Sequence, residues 1–306
     1  MLKKLIVILG PTASGKSELA IKLAKKLAPY QTEDSGAGFN GEIISADSRQ
    51  VYKGMDIGTG KITKKEMKSI PHYLLDVASP KRRFTVVQYR KLALKAINKI
   101  HKKGKIPILC GGTGFYIQAV VDGIVIPEVP PDWKLRKKLE KKSVEELYKI
   151  LKKLDPKRAK TIEKKNKRRL IRALEIVIKT KKPVPGLKKN PLPYPVLMLG
   201  IKKEKKELKK LIKKRFLKWL KIGLIAEVKK LRKSGLSWKK IEDFGIHYRL
   251  IAQYLQNKMN YKEMIENSII ELQNYAKRQL TWFKKDRRIN WIKNYKEAEK
   301  LVKRFL

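Results

Sequence analysis

The 306-residue sequence predicts an α/β fold, a parallel sheet flanked by helices, with an inserted all-helical module. Three observations carry that prediction. The apolar run Leu5-Ile6-Val7-Ile8-Leu9 enters the complete G-x-x-x-x-G-K-[ST] loop Gly10-Pro11-Thr12-Ala13-Ser14-Gly15-Lys16-Ser17, and a helix follows. Short buried strands then alternate with amphipathic helices as far as residue 125. Between the proline-rich stretches 126–131 and 183–193 the strand pattern stops and only amphipathic helix remains. The domain plan is therefore a core begun by residues 1–125, an inserted helical module over 126–193, and a core completed by 194–306 with a last strand and C-terminal helices.

The loop is built to hold phosphate. Its glycines let successive backbone N–H groups converge on an anion, and the following helix adds its positive dipole end. Lys16 supplies a point charge, and the Ser17 hydroxyl suits a phosphate-bound Mg²⁺. The fold class is then P-loop NTPase-like. The loop alone leaves open whether the phosphate belongs to ATP, another nucleotide or a different pyrophosphate ester.

After the loop, Leu19, Ala20, Leu23, Ala24 and Leu27 recur at helical spacing, so the first helix lays one face on the sheet. Residues 29–41 are small, polar and turn-forming and read as an exposed loop. The strand 42–46 delivers Asp47-Ser48-Arg49-Gln50 at its carboxyl end, the edge where open α/β sheets bind ligands. Asp47 is a candidate metal ligand or general base, or a cap of the next helix. Residues 53–61 read as a flexible basic loop, and 71–76 as a return to apolar strand. A helix over 84–100 precedes the strand 106–110, which runs into Gly111-Gly112-Thr113-Gly114, a second ligand loop or a plain turn. In the module, Leu147, Leu151 and Leu154 mark one helix, and Leu170, Ala173, Leu174 and Val177 mark another with Arg168 and Arg172 on a different face. Those arginines grip phosphates or simply solvate the helix. Residues 196–200 read as the final strand; 205–231 and 264–283 read as long helices, the latter with Lys277 and Arg278 on its polar side.

Composition narrows the partners. Lys+Arg number 76 against 28 Asp+Glu, a formal charge of +48, which points to a polyanion such as nucleic acid unless the lysines only dress the surface. The single Cys110 excludes an intramolecular disulfide and any multi-cysteine metal site. No apolar run approaches a membrane span or a signal peptide, so a cytoplasmic protein that does not use membranes is expected.

Set side by side, residues 10–17, 45–54, 56–61, 111–116 and 276–282 occur in the order seen in tRNA dimethylallyltransferases, and the chain resembles that family almost end to end. The resemblance implies transfer of the dimethylallyl group of dimethylallyl diphosphate to N6 of adenosine 37, flipped out beside the tRNA anticodon, with Mg²⁺ as cofactor. It implies that residues 10–17 bind the diphosphate, that Asp47 is the general base, and that Thr12, Lys16 and Arg215 complete the catalytic set. It further implies tRNA contacts from Asp47, Ser48, Arg49 and Gln50 at the base, Thr113 at the channel mouth, Arg168, Arg169, Leu170, Ile171 and Arg172 on the anticodon stem-loop, and Lys277 and Arg278 on phosphates. A monomer is expected. The chain departs from the family at its longer 29–41 loop, at Arg49 where many members carry Met, at Arg168 in place of a glutamine, and around Phe244-Gly245-Ile246-His247-Tyr248. A small-molecule kinase, an RNA-binding ATPase and a free-nucleotide isopentenyltransferase are the rival readings of the same loop.

Overall fold

The computed structural model describes residues 3–26, 41–125, 127, 129–186 and 188–306; the loop expected at 29–41 lies outside them except for Gly41. Its first stretch runs β1 (Leu5–Leu9), α1 (Lys16–Lys26), β2 (Gly41–Ser45), the one-turn α2 (Lys64–Met67), β3 (His72–Tyr73), α3 (Val86–Lys102), β4 (Ile106–Gly111) and α4 (Gly114–Val121). A second unit follows with β5 (Ile124–Val125), α5 (Trp133–Glu140), α6 (Val144–Leu154), α7 (Pro156–Thr161), α8 (Lys167–Thr180) and β6 (Lys188–Lys189). The chain then adds β7 (Val196–Ile201), α9 (Lys205–Lys221), α10 (Leu224–Lys233), α11 (Trp238–Glu242), α12 (Ile246–Leu255), α13 (Tyr261–Phe283), β8 (Ile289–Ile292) and α14 (Tyr295–Phe305).

The core unit comprises residues 1–123 and 191–306, and the second unit 124–190. Among the described residues the core sheet has six strands in the order β3-β2-β4-β1-β7-β8, all parallel. β1 lies between β4 and β7, with Ile6 opposite both Ile108 and Leu197. A parallel strand covered on both faces must be apolar throughout, and β1 is fully buried along its length. Alternation then divides its side chains. Leu5, Val7 and Leu9 join one core with Tyr89, Ile97, Ile117, Phe216 and Leu272, whereas Ile6 and Ile8 join another with Leu23, Ala24, Ala298 and Val302.

Three sequence expectations change. Residues 196–200 are not the last strand, because Ile289–Ile292 pairs parallel with β7 and closes that edge. Only His72–Tyr73 of the apolar stretch 71–76 pairs in the sheet. The long helical pattern after residue 205 is two helices, broken where Gly223 takes a φ of 104°.

The second unit is helical apart from the antiparallel two-residue pairing of β5 with β6 at its entry and exit. Its core is Leu139, Leu147, Leu151, Ala159, Leu170 and Leu174. Beside that core sits a wholly buried carboxylate, Glu175, which accepts from Arg136 Nε at 2.7 Å and Nη2 at 2.6 Å, from Arg172 Nη1 at 2.5 Å and from the Asp132 amide at 2.7 Å. Those charge-assisted bonds hold Glu175 ionised in spite of its burial.

Candidate active site

Three strand ends meet at the carboxyl edge of the sheet. The loop 10–15 leaves β1, Asp47 follows β2, and Gly112-Thr113 follows β4, the strand between them. The first loop has the backbone of an anion nest: φ is positive at Gly10, Ala13 and Gly15, at 153°, 63° and 90°. A side chain at Gly15 would meet nothing within 4 Å, so the cradle is open on that side. Ser14 Oγ is buried there without a hydrogen-bond partner, the state of a donor waiting for a ligand oxygen. Lys16 folds its ammonium onto the Pro11 carbonyl at 2.6 Å, and burial pushes it down to about 8, with Arg215 adding to the fall and Cys110 and Asp47 opposing it.

The Arg215 guanidinium reaches the same loop from α9, donating to Thr12 Oγ1 while lying 4.6 Å over the Trp219 ring. Burial lowers it to about 10, and the charge of Asp47 works against that loss. Lys16, Arg215, Thr12 and Asp47 are thus brought into one electrostatic neighbourhood.

Asp47 caps the turn that follows β2, where the sequence offered a helix cap as one alternative. Its Oδ1 accepts from the amides of Arg49 at 2.8 Å and Gln50 at 3.4 Å, fixing the carboxylate as a turn cap. So fixed, it stands half-buried at the strand end. Thr113 Oγ1 accepts from the Ser48 amide at 3.0 Å, and Ser45 Oγ donates to Gln50 Oε1 at 2.8 Å. The Gln50 amide nitrogen spans the carbonyls of Thr59 and Gly60, both at 3.2 Å. Thr113 and Gln50 therefore shape the site by holding backbone, a use their expected RNA contacts did not include.

Gly111-Gly112-Thr113-Gly114 owes its glycines to packing. A Cβ on Gly111 would stand 2.2 Å from the Ala46 carbonyl oxygen, and one on Gly114 2.4 Å from Trp282. Ala46 in turn donates to Cys110 O at 2.8 Å and accepts from the Thr113 amide at 3.1 Å, so β4 carries the Asp47 turn.

Two buried residues that the sequence reading passed over complete the frame. Gln279 of α13 accepts from the Thr12 amide at 2.8 Å and donates to Gly112 O at 2.8 Å, tying the two loops together. It sits in the 276–282 motif beside Lys277 and Arg278, the residues that the resemblance puts on phosphates. Glu227 of α10 accepts from the amides of Asp56, Ile57 and Gly58 at 2.8, 2.6 and 3.0 Å and from Tyr248 Oη at 2.7 Å. Lys61 adds bonds to Asp56 and Asp76, both at 2.6 Å, so the stretch 53–61 is pinned where the sequence suggested flexibility. No local pattern marks Glu227 as different from any other helix glutamate.

The remaining expected contacts separate by burial. Lys277 and Arg278 are exposed on α13, and Arg168 and Arg169 are exposed on α8, the latter 3.2 Å from Glu163. Leu170 and Ile171 are core residues of the second unit and present nothing to a partner, a correction that follows from their place on the apolar face of α8. Arg172 is bound to Glu175 and to the carbonyls of Val129 at 3.0 Å and Pro127 at 3.4 Å, so it serves the fold of its unit.

Among the described residues no group of three or more His, Cys, Asp or Glu could hold a metal ion. The Ser17 hydroxyl, exposed on the first turn of α1, is a single neutral oxygen. That fits an ion such as Mg²⁺, which keeps several waters and takes most of its other ligands from substrate phosphates. No helix among the described residues is long and apolar enough to cross a membrane.

A profile of the IPP transferase family matches residues 50–286. The chain is 40% identical over 308 residues to a tRNA dimethylallyltransferase of Acetivibrio thermocellus, covering 97% of this chain and 95% of that one. It is similar to the crystal structure of a tRNA isopentenylpyrophosphate transferase from Bacillus halodurans, with a TM-score of 0.71, 36% identity and coverage of 99% and 95%. It is also similar to a eukaryotic dimethylallyltransferase captured in crystallographic snapshots acting on tRNA, with a TM-score of 0.74, 30% identity and coverage of 92% and 69%. With its nest, its carboxylate and the helices that fasten them, this chain belongs to the IPP transferase family of prenyl-transferring enzymes.

Proposed function

We propose that the protein transfers the dimethylallyl group of dimethylallyl diphosphate to N6 of adenosine 37 of tRNA, acting as a monomer. The observation that carries the reading is the meeting, at one sheet edge, of an open anion nest with two cations, Lys16 and Arg215, and a fixed carboxylate, Asp47. The names of its relatives and a formal charge of +48 support a tRNA partner.

In the reaction the N6–C1 bond forms as the C1–O bond to diphosphate breaks, and one N6 proton must leave. The amine is conjugated with the purine, so Asp47 accepts its proton as general base. Diphosphate carries away the electron pair of the broken bond. Loop amides, Lys16 and Arg215 neutralise that charge where it develops, and Thr12 orients Arg215. Ser17 would hold Mg²⁺, which when bound with the donor supplies further neutralisation of the leaving group. An adenine stacked in a folded loop has to leave its stack to reach such a site, and base flipping accounts for it. Exposed Arg168, Arg169, Lys277 and Arg278 supply phosphate contacts, which give affinity, while groups near Asp47 read the base.

Mass spectrometry of tRNA nucleosides, after incubation of unmodified tRNA with dimethylallyl diphosphate, Mg²⁺ and the protein, tests this directly. The expected product is adenosine 37 bearing one added C5H8 group, with release of diphosphate. Unchanged tRNA, with phosphoryl transfer from ATP to a small acceptor instead, would overturn it in favour of a kinase. Light scattering in the same buffer checks the monomer.

A further inference from the structure

His247 is a buried polar group close to the nest that the proposed chemistry does not use. It lies on the first turn of α12, and both ring nitrogens are buried without a partner at hydrogen-bond geometry. Leaving such groups unmade is costly, which makes the position informative. The ring sits 5.5 Å from Trp219 and 4.9 Å from Tyr248, centroid to centroid. Trp219 is also the ring over which Arg215 lies, and Arg215 donates to Thr12. Thr12, Arg215, Trp219 and His247 therefore form a continuous line from the anion nest to α12.

Burial lowers His247 to about 4 and keeps it neutral, with the Gly58 backbone opposing that fall and the cations Arg215 and Arg49 adding to it. The Gly58 backbone lies near the ring but outside hydrogen-bond geometry. No partner at hydrogen-bond geometry fixes its tautomer, so either ring nitrogen can carry the proton and offer it to a ligand. Two guanidinium groups and an uncommitted N–H are a setting for an anion.

We propose that His247 is a positioning residue for the prenyl donor, its ring N–H donating to the diphosphate held by the nest and Arg215. This rests on the reading of the nest as a diphosphate site. A hydrogen bond to a charged group is worth roughly 10-fold or more in affinity.

The test is calorimetric titration of inorganic pyrophosphate, with Mg²⁺ at pH 7, into the full chain and its H247F, H247A and H247N variants, alongside steady-state kinetics. H247F and H247A are expected to weaken pyrophosphate binding about 10-fold and to raise KM for dimethylallyl diphosphate equally, with KM for tRNA unchanged. H247N, which retains an N–H donor, recovers most of the loss, and this comparison with H247A stands even if H247F does not fold. Equal pyrophosphate affinity in parent, H247A and H247N overturns the assignment. So does intact pyrophosphate affinity with a raised KM for tRNA, which would give the ring to the purine. A parent chain that binds no pyrophosphate overturns the diphosphate reading itself, and the inference with it.

Discussion

Replacing Gln279 by Leu tests how the site is assembled. The substitution keeps most of the side-chain volume but strips both polar atoms, so the Thr12 amide and the Gly112 carbonyl lose partners that now stand at 2.8 Å each. Gln279 is buried, and water does not replace it freely. A buried group left unsatisfied costs about 1–3 kcal/mol, so the pair costs about 2–6 kcal/mol. The fold should survive with reduced stability, because the sheet and both large cores are untouched. The nest should not survive intact, because Thr12 is also the residue that receives Arg215. Urea denaturation gives the first quantity, and kcat/KM for dimethylallyl diphosphate at saturating tRNA gives the second. G112A is an independent route to the same defect, since its Cβ would stand 2.5 Å from Gln279 Nε2 and push the amide aside. Stability within about 0.5 kcal/mol of the parent, together with unchanged kcat/KM in both variants, would refute the clamp.

Three further outcomes are expected. D47N keeps an oxygen for the Arg49 and Gln50 amides but loses the base, so turnover should fall roughly 10²–10⁴-fold in single-turnover assays while tRNA binding by filter retention is unaltered. Burial holds Lys16 down to about 8 against an ordinary 10.5, so between those pH values the unfolded chain binds a proton that the folded chain does not, and stability rises with pH through that window. K16M should flatten that rise and stabilise the protein below pH 8, as read from urea denaturation at a series of pH values, while chemistry is lost. R136A strands the wholly buried Glu175 with one guanidinium partner and should cost the second unit about 3–5 kcal/mol, visible as hydrogen exchange confined to residues 124–190.

The sequence disclosed what local pattern can disclose. Buried parallel strands are uniform apolar runs, which made β1, β2 and β4 legible, and the nest declares itself by glycine spacing. β8 escaped because Ile289–Ile292 is an edge strand of four residues hemmed by Arg287, Arg288 and Lys293, too short for a period to register. The resemblance groups Leu170 and Ile171 with the RNA-contacting residues beside them, although the same helical period that places Ala173 and Leu174 in the core places them there as well. Gln279 and Glu227 act across 167 to 267 residues of sequence, through bonds to backbone. No window along the chain contains both ends of such a contact. His247 belongs to a stretch that departs from the usual family pattern, and its unpartnered ring nitrogens give that departure a meaning.

The Gln279 clamp has a bearing on biosynthesis. The nest at residues 10–15 is written first, yet the side chains that brace it, Arg215 and Gln279, leave the ribosome more than two hundred residues later. A nascent chain stalled before α13 owns the phosphate motif and Arg215 but not the clamp. Such a fragment should fail to retain donor, so competence arrives late and nearly all at once, when the final helices dock onto a sheet that has been waiting for them.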